Sequence, residues 1–177
     1  KRPALLQEIA AKFGRCATVL GMDANRVARK RETRNAKRET GEPAGLLPRR
    51  TWRDETGAEW EEVWEVFING GRVGTGVDVL WWAQEAERLG AGEIVLNVMN
   101  ADGTKQGYDL EMTAAVSSAV NIPVVASGGA GNPEDMLHVL TEGRADAALA
   151  ASIFHFREHS VHEVKQYLAT HGVNVRL

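Results

Sequence analysis

An α/β fold built on parallel strands is predicted by two features of this sequence. Residues 122–131, IPVVASGGAG, are a short run of small β-branched and apolar residues that ends abruptly at Ser127-Gly128-Gly129. Such a run, without polar alternation, reads as a strand buried on both faces whose C-terminal end opens into bare backbone. The second feature is the order of elements: one helix, then four strand-helix units, which implies parallel strands joined by right-handed crossovers. Four units make half of an eight-unit barrel or a small open sheet. In both, chemistry gathers at the C-terminal ends of the strands.

Composition sets the outer limits. The 177 residues are 44% hydrophobic and 25% charged with a formal net charge of -3, so one domain with a usable core is expected and the overall charge does not point to nucleic acid. The single cysteine, Cys16, cannot form an internal disulfide, and a cytoplasmic location is the default. No apolar run has the length of a membrane span, and no charged start with an apolar core suggests export. The chain opens on Lys1-Arg2-Pro3 with helical pattern at once, as expected of the middle of a longer protein.

Pro3 suits a first helical turn, Leu5, Leu6, Ile9 and Phe13 share one face, and Gly14 ends the helix. Cys16 to Met22 then reads as a strand, with Asp23 just past its end. From residue 25 to 62 the pattern breaks down. Arg26, Arg29, Lys30, Arg31, Arg34, Lys37 and Arg38 crowd together, then Gly and Pro punctuation brings Trp52 and Trp60. A structureless stretch of that length is functional or disordered, and it reads as an inserted basic loop after the first strand. Val63–Ile68 and Arg72–Gly76 flank Asn69-Gly70-Gly71, a hairpin signal.

Asp78 can cap a helix with Val79, Trp82, Ala83, Ala86 and Leu89 on its apolar face, closed by Gly90. Glu93–Val98 is the next strand, followed by the loop through Asp102, and Asp109 caps a helix to about Val120. After the central strand, Asn132-Pro133-Glu134-Asp135 combines cap, first-turn proline and acids at the positive dipole end. That helix ends at Gly143. Asp146–Ala151 is the last strand, Ser152–His155 a short helical turn, and Ser160-Val161-His162-Glu163 a capping box opening a final helix that Gly172 ends.

Phosphate is the ligand these elements suit. Barrels bind it between loops of adjacent strands and a short extra helix. Gly128 and Gly129 offer bare backbone N–H groups, and Ser152–His155 offers a helix start with no acid in its first turn, whereas the start at Asn132 is occupied by Glu134 and Asp135. The alternative is that Gly128–Gly131 is only a tight strand-to-helix turn. Asp102-Gly103-Thr104 lies at the same strand end, where Gly103 can add an amide and Thr104 a hydroxyl. Asp102 itself would repel the anion, so its expected role is to hold the loop through backbone N–H groups.

Asp23, a strand-end carboxylate among apolar neighbours, is a candidate acid or base, or simply a cap for the following loop. His155, His159 and His162 are close in sequence, but no third ligand has a fixed spacing and Ser160 starts a helix between them, so they read as surface or packing histidines. No metal and no cofactor are expected. The basic run lacks interleaved aromatics and includes Glu32 and Glu39, the usual sign of a solvated segment rather than a nucleic-acid site. Following Asp23, it would hang over the site and could steer an anionic substrate.

Taken together, Asp23-Ala24-Asn25-Arg26, Trp64-Glu65-Val66 with Gly70-Gly71-Arg72, Gly92–Leu96, Asp102–Lys105 with Gly107-Tyr108-Asp109, Ala126–Gly131, Ala147–Ser152 with Phe154–Glu158, and His171–Leu177 resemble the C-terminal half of the cyclase subunit of imidazole glycerol phosphate synthase. The last two motifs are specific, and the resemblance covers nearly all of the chain except the basic stretch. It implies a (βα)8 barrel of histidine biosynthesis, of which residues 1–177 would be a (βα)4 half-barrel. Such an enzyme takes ammonia from a glutaminase partner. With it, the enzyme splits and cyclises a bis-phosphorylated formimino-ribulosyl aminoimidazole carboxamide ribonucleotide into imidazole glycerol phosphate and aminoimidazole carboxamide ribonucleotide.

By the same resemblance, Asp23 matches a general acid/base, and Asp102, Gly103, Gly129, Ala151 and Ser152 match one of two phosphate sites. Glu93, at the other end of its strand, matches the acidic member of a charged gate for ammonia. Asn100 stands where the family usually has aspartate; asparagine can keep the hydrogen bonds but not the charge. The first four units, with a partner aspartate and the second phosphate site, have no counterpart, so a fragment of little or no activity is implied. The related phosphoribosyl-formimino isomerase shares the glycine-rich loops, but Phe154–Glu158 and the Gly172–Leu177 tail favour the cyclase. A reading of another class is a non-catalytic phosphate-binding half-barrel that associates with a missing half or a second copy.

Overall fold

The computed structural model describes residues 2–31 and 45–177. Its elements are α1 (Ala4–Phe13), a 3-10 turn (Arg15–Ala17), β1 (Val19–Lys30), β2 (Pro48–Arg53), β3 (Glu59–Ile68), β4 (Val73–Asp78), α2 (Val79–Arg88), β5 (Glu93–Val98), α3 (Leu110–Ala119), β6 (Val124–Ser127), α4 (Pro133–Thr141), β7 (Ala147–Leu149), α5 (Ser152–His155) and α6 (Val161–Thr170). The strands form one sheet in the order β2-β3-β1-β5-β6-β7, with β4 paired to β3. Within it β1, β5, β6 and β7 run parallel, as the alternation of strand and helix predicts.

The caps act as read. Asn132 accepts from the Asp135 amide and Asp135 answers on the Asn132 amide, while Ser160 and Glu163 do the same for α6. Asp109 caps α3 by accepting from the Met112 amide. The turn between β3 and β4 uses Asn69, Gly70 and Gly71, all with positive φ. A side chain at Gly71 would press on the flexible Met99 thioether, and the Gly71 φ of 74° is one that glycine adopts without strain. None of the α1 residues is buried, so its expected apolar stripe lies largely uncovered, with Phe13 62% exposed.

Two expectations are corrected. The first strand starts at Val19 rather than Cys16 and runs to Lys30, so Asp23 lies inside it. It does mark the end of the parallel pairing, which stops at Ala24↔Val98. The expected structureless loop over 25–62 is largely strand in its described residues: 25–30 belong to β1, 48–53 to β2 and 59–62 to β3. Arg34, Lys37 and Arg38 lie outside the described residues. The reason is cross-strand complementarity. The basic run meets an acidic one in antiparallel register from Asp23↔Phe67 to Lys30↔Trp60. Arg29 pairs with Glu61, Arg31 and Arg53 pair with Glu59, and Trp52 stacks on Trp60 at 6.4 Å.

Helices cover one face of the parallel strands. Met22, Ala24, Ile94, Leu96, Val98 and Val124 turn toward Val79, Ala83, Met112 and Val116 and are buried with them. By alternation the other residues face the opposite side, where Val19 is 51% and Leu149 45% exposed and Val95 and Val125 are half-buried. The antiparallel extension is fastened to this body at two points. Arg26 donates to Asp109, Glu62 and Glu111, lying over the Trp64 ring at 5.2 Å. Arg49, at 4.8 Å from the same ring, donates to both oxygens of Asp78 at 2.9 and 2.7 Å.

Asp78 is fully buried and also accepts from the amides of Leu80, Trp81 and Leu47. Removing it strands the Arg49 charge and three amides at once. Asp78→Ala is therefore expected to cost about 3 kcal/mol or more, and Asp78→Asn less, because the amide oxygen keeps the cap. Urea unfolding of the two variants checks this order; equal midpoints would contradict it.

Candidate active site

The register places one polar row on the face that no described helix covers, at the C-terminal end of the parallel pairing. Asp23 stands opposite Asn97, Asn97 opposite Ser127, and Ser127 opposite Leu149, with Phe67 of β3 on the other side of Asp23. Asn97 donates from Nδ2 to Asp23 Oδ1 at 3.3 Å and touches the Met99 sulfur at 3.2 Å. Asp23, Asn97 and Ser127 are all half-buried. A carboxylate beside an amide and a hydroxyl can exchange a proton with a ligand while its orientation is held from the side. The sequence reading singles out Asp23 and passes over Asn97 and Ser127. The available signal was that each is the polar residue closing an apolar strand: EIVLN and VVAS.

The glycine-rich loops meet directly above this row. A Cβ on Gly128 would lie 3.0 Å from the Val98 carbonyl oxygen, 3.1 Å from Asn97 Oδ1 and 3.3 Å from the Asp102 Cα. The loop after β5 and the loop after β6 are thus brought together, as expected. Gly128 and Gly129 hold φ of 91° and 109° and Gly103 one of 74°. The amides of these three glycines donate no hydrogen bond among the described residues. Ala151 and Ser152 lie where β7 leads into α5, which has no acid in its first turn, in contrast to α4 with Glu134 and Asp135.

Two roles differ from the expectation. The Asp102 carboxylate accepts no hydrogen bond among the described residues, so it does not hold the loop. Thr104 does: its hydroxyl and its amide both donate to the Ala101 carbonyl, at 2.7 and 3.1 Å, and its oxygen accepts from the Gln106 amide. A short hydroxyl side chain readily closes such a turn on its own backbone. The Thr104 hydroxyl is therefore committed to the loop rather than offered to a ligand.

Arg26, from the basic run, is not free to steer an anion either. Its guanidinium is held at 2.5 and 2.8 Å by Asp109, and that hydrogen bonding pushes its ionisation further up. Asn100 accepts from the Arg26 amide through Oδ1 at 2.5 Å, a contact with the β1 backbone. Glu93 lies on the same uncovered face opposite Val19, roughly 13 Å from Asn97 at the strand rise of about 3.3 Å per residue. Among the described residues no group of three or more His, Cys, Asp or Glu could hold a metal ion, and His155 packs edge-on against Phe156. No described helix is long and apolar enough to cross a membrane.

The family model described as histidine biosynthesis protein matches residues 1–160. The imidazole glycerol phosphate synthase subunit HisF of Desulfosudis oleivorans is 46% identical over 177 residues, all of this chain and 58% of that protein. The subunits of the same name from Desulfatibacillum aliphaticivorans and Symbiobacterium thermophilum are 44% and 47% identical over 176 residues, 99% of this chain and 57% of each of those. The chain thus spans a little under three-fifths of the length of the relatives it matches.

Substituting single glycines separates packing from binding here. A Cβ at Gly129 would sit 2.0 Å from the Gly107 carbonyl oxygen, backbone against backbone, on top of its positive φ. At Gly103 nothing lies within 4 Å. Gly129→Ala is expected to cost about 3 kcal/mol or more and Gly103→Ala about 1 kcal/mol. Thermal unfolding by calorimetry reads the difference, and a Gly103→Ala loss as large as that of Gly129→Ala would contradict it.

Proposed function

The chain belongs to the histidine biosynthesis protein family, and from that premise we propose that it is the C-terminal half-barrel of an imidazole glycerol phosphate synthase cyclase. The observation that carries this reading is 44–47% identity, over essentially the whole chain, to subunits bearing that name. The reaction is the cyclase/lyase step of histidine biosynthesis, in which ammonia from a glutaminase subunit converts the bis-phosphorylated formimino-ribulosyl substrate to imidazole glycerol phosphate and aminoimidazole carboxamide ribonucleotide. The setting is the cytoplasm.

Asp23 is the general acid/base, with Asn97 orienting its carboxylate at 3.3 Å. The amides of Gly103, Gly128 and Gly129, unengaged among the described residues, bind one substrate phosphate through backbone N–H groups with Ala151 and Ser152 beyond them. Thr104 shapes that loop, and Asp102 stands outside the anion's coordination. Glu93, at the far end of β5, guards the entry of ammonia. The missing strand-helix units supply the second phosphate site and a second acid/base, so residues 1–177 by themselves turn over slowly or not at all.

A second reading is favoured by the uncovered sheet face: a half-barrel that binds phosphate and associates with a second copy. Val19 and Leu149 are about half exposed there, and β7 is the edge of the sheet. The two readings agree on the phosphate loops and differ in turnover.

In a barrel completed with the missing units, Asp23→Asn is expected to lower ammonia-dependent turnover about a hundredfold or more with substrate affinity nearly unchanged, because proton transfer is made only in the transition state. Unchanged turnover would remove Asp23 from the mechanism. The 177-residue chain itself is expected to sediment as a dimer or larger at micromolar concentration, burying the open face. A stable, cooperatively folding monomer would count against that association.

A further inference from the structure

Beyond Thr104, the loop that leaves β5 turns and crosses the ends of β6 and β7. Lys105 has a φ of 56°, and its carbonyl packs so closely on Gly131 that a Cβ there would lie 2.3 Å from it. The Gly107 amide donates to the Gly129 carbonyl at 2.9 Å. One residue on, the Tyr108 hydroxyl donates to the Leu149 carbonyl at 2.9 Å, and the ring is buried among Ala126, Val139 and Ile153. At the other end the Lys105 ammonium pairs with Glu158, just beyond α5.

The attachment to Leu149 matters because of where β7 stops. Its pairing with β6 runs from Val125↔Ala147 to Ser127↔Leu149 and ends there. Leu149 is three residues before Ser152, and among the described residues the Tyr108 hydroxyl is the last hydrogen-bonding side chain to hold β7 before the Ala151–Ser152 backbone. A phenylalanine would fill the same space in the core. What the hydroxyl adds is a fixed distance, one hydrogen bond long, between the loop after β5 and the end of β7. Burial, and after it the negative charge of Asp135, push the phenol ionisation up, so it stays a donor across the physiological range.

We propose that Lys105–Tyr108 is a positioning strap that sets the spacing of the three phosphate-binding backbone segments. Its buried end is the Tyr108 hydroxyl on Leu149, and its exposed end is the Lys105–Glu158 pair. The inference rests on the phosphate reading given above and adds how the three segments, which come from separate strands, are held in one geometry. Tyr108 is a positioning residue here, acting through Leu149 on the amides that follow. Amides aimed at a common anion lose affinity steeply when one of them drifts.

The test is a titration of the 177-residue chain with inorganic phosphate, followed by the amide resonances of Gly103, Gly129 and Ser152. In the parent the three should shift together with one dissociation constant. In Tyr108→Phe the constant is expected to rise about fivefold, the scale of one neutral hydrogen bond. The Ser152 shift should shrink relative to that of Gly129, a decoupling that mere loss of stability would not produce. Glu158→Gln, which leaves the core untouched, should give the same decoupling with about a twofold weaker constant, and it carries the test if Tyr108→Phe folds poorly. Parent-like constants and parent-like shift ratios in both variants would overturn the strap and leave the phosphate reading standing. A parent in which none of the three amides responds would overturn both.

Discussion

The candidate site depends on the register between β1 and β5. With Asp23 opposite Asn97, the two side chains share the uncovered face, and a slip of one residue would turn Asp23 into the helices and Met22 or Ala24 out of them. Several independent contacts fix that register. On the helix side, Met22, Ala24, Ile94, Leu96 and Val98 are all buried in one cluster, which a slip would expose. Past the end of β5, the Met99 amide donates to the Ala24 carbonyl, and Asn100 accepts from the Arg26 amide. Arg26 then reaches Asp109 at the start of α3. The long antiparallel ladder with β3 works on the same strand from its other edge, so β1 is held on both sides at the position of Asp23.

What the sequence made legible was local, and what it hid was not. Caps at Asp78, Asp109, Asn132 and Ser160 were readable because a cap is decided by residues within one turn. The strands at 93–98 and 124–127 declared themselves through apolar runs bounded by Gly and Pro. The stretch from 25 to 62 was misread because each of its halves looks irregular and highly charged by itself. Its order appears only when Arg29 meets Glu61 and Trp52 meets Trp60 across strands. Asn97 and Ser127 were missed for the same reason. Each closes an apolar strand, but that they form one row appears only when pairing sets them in line with Asp23.

The glycine loop illustrates how two readings of one motif can hold together. The geometry at Gly129 demands glycine with no ligand in view, since the Gly107 carbonyl occupies the space of a side chain. Under the proposed function a tight turn and an anion cradle would be the same object: the close packing that excludes side chains also leaves the amides of Gly128 and Gly129 without partners among the described residues. It follows that lost phosphate affinity in a Gly129 variant would not by itself identify the site. Gly103, whose surroundings are open, offers the cleaner measure, because there a methyl group alters access to the amide with little change in packing.

Below the polar row, the uncovered face changes character along the strands. The next row toward the N-terminal ends is Gly21, Val95, Val125 and Ala147, without a polar side chain, and the row beyond it brings Val19 beside Glu93. A carboxylate at one end, an apolar band in the middle and an acid-amide-hydroxyl row at the other suit a small reactant that travels uncharged. Under the proposed function that reactant would be ammonia rather than ammonium, since an apolar band penalises the ion far more than the neutral molecule. Under the proposed function, Glu93 and Asp23 would thus act at opposite ends of one path, and the band between them would keep the nitrogen unprotonated until it reaches the substrate. Among the described residues that face is open along one side, and under the proposed function the path would be enclosed only when another set of strands, or another copy of this one, closes over it.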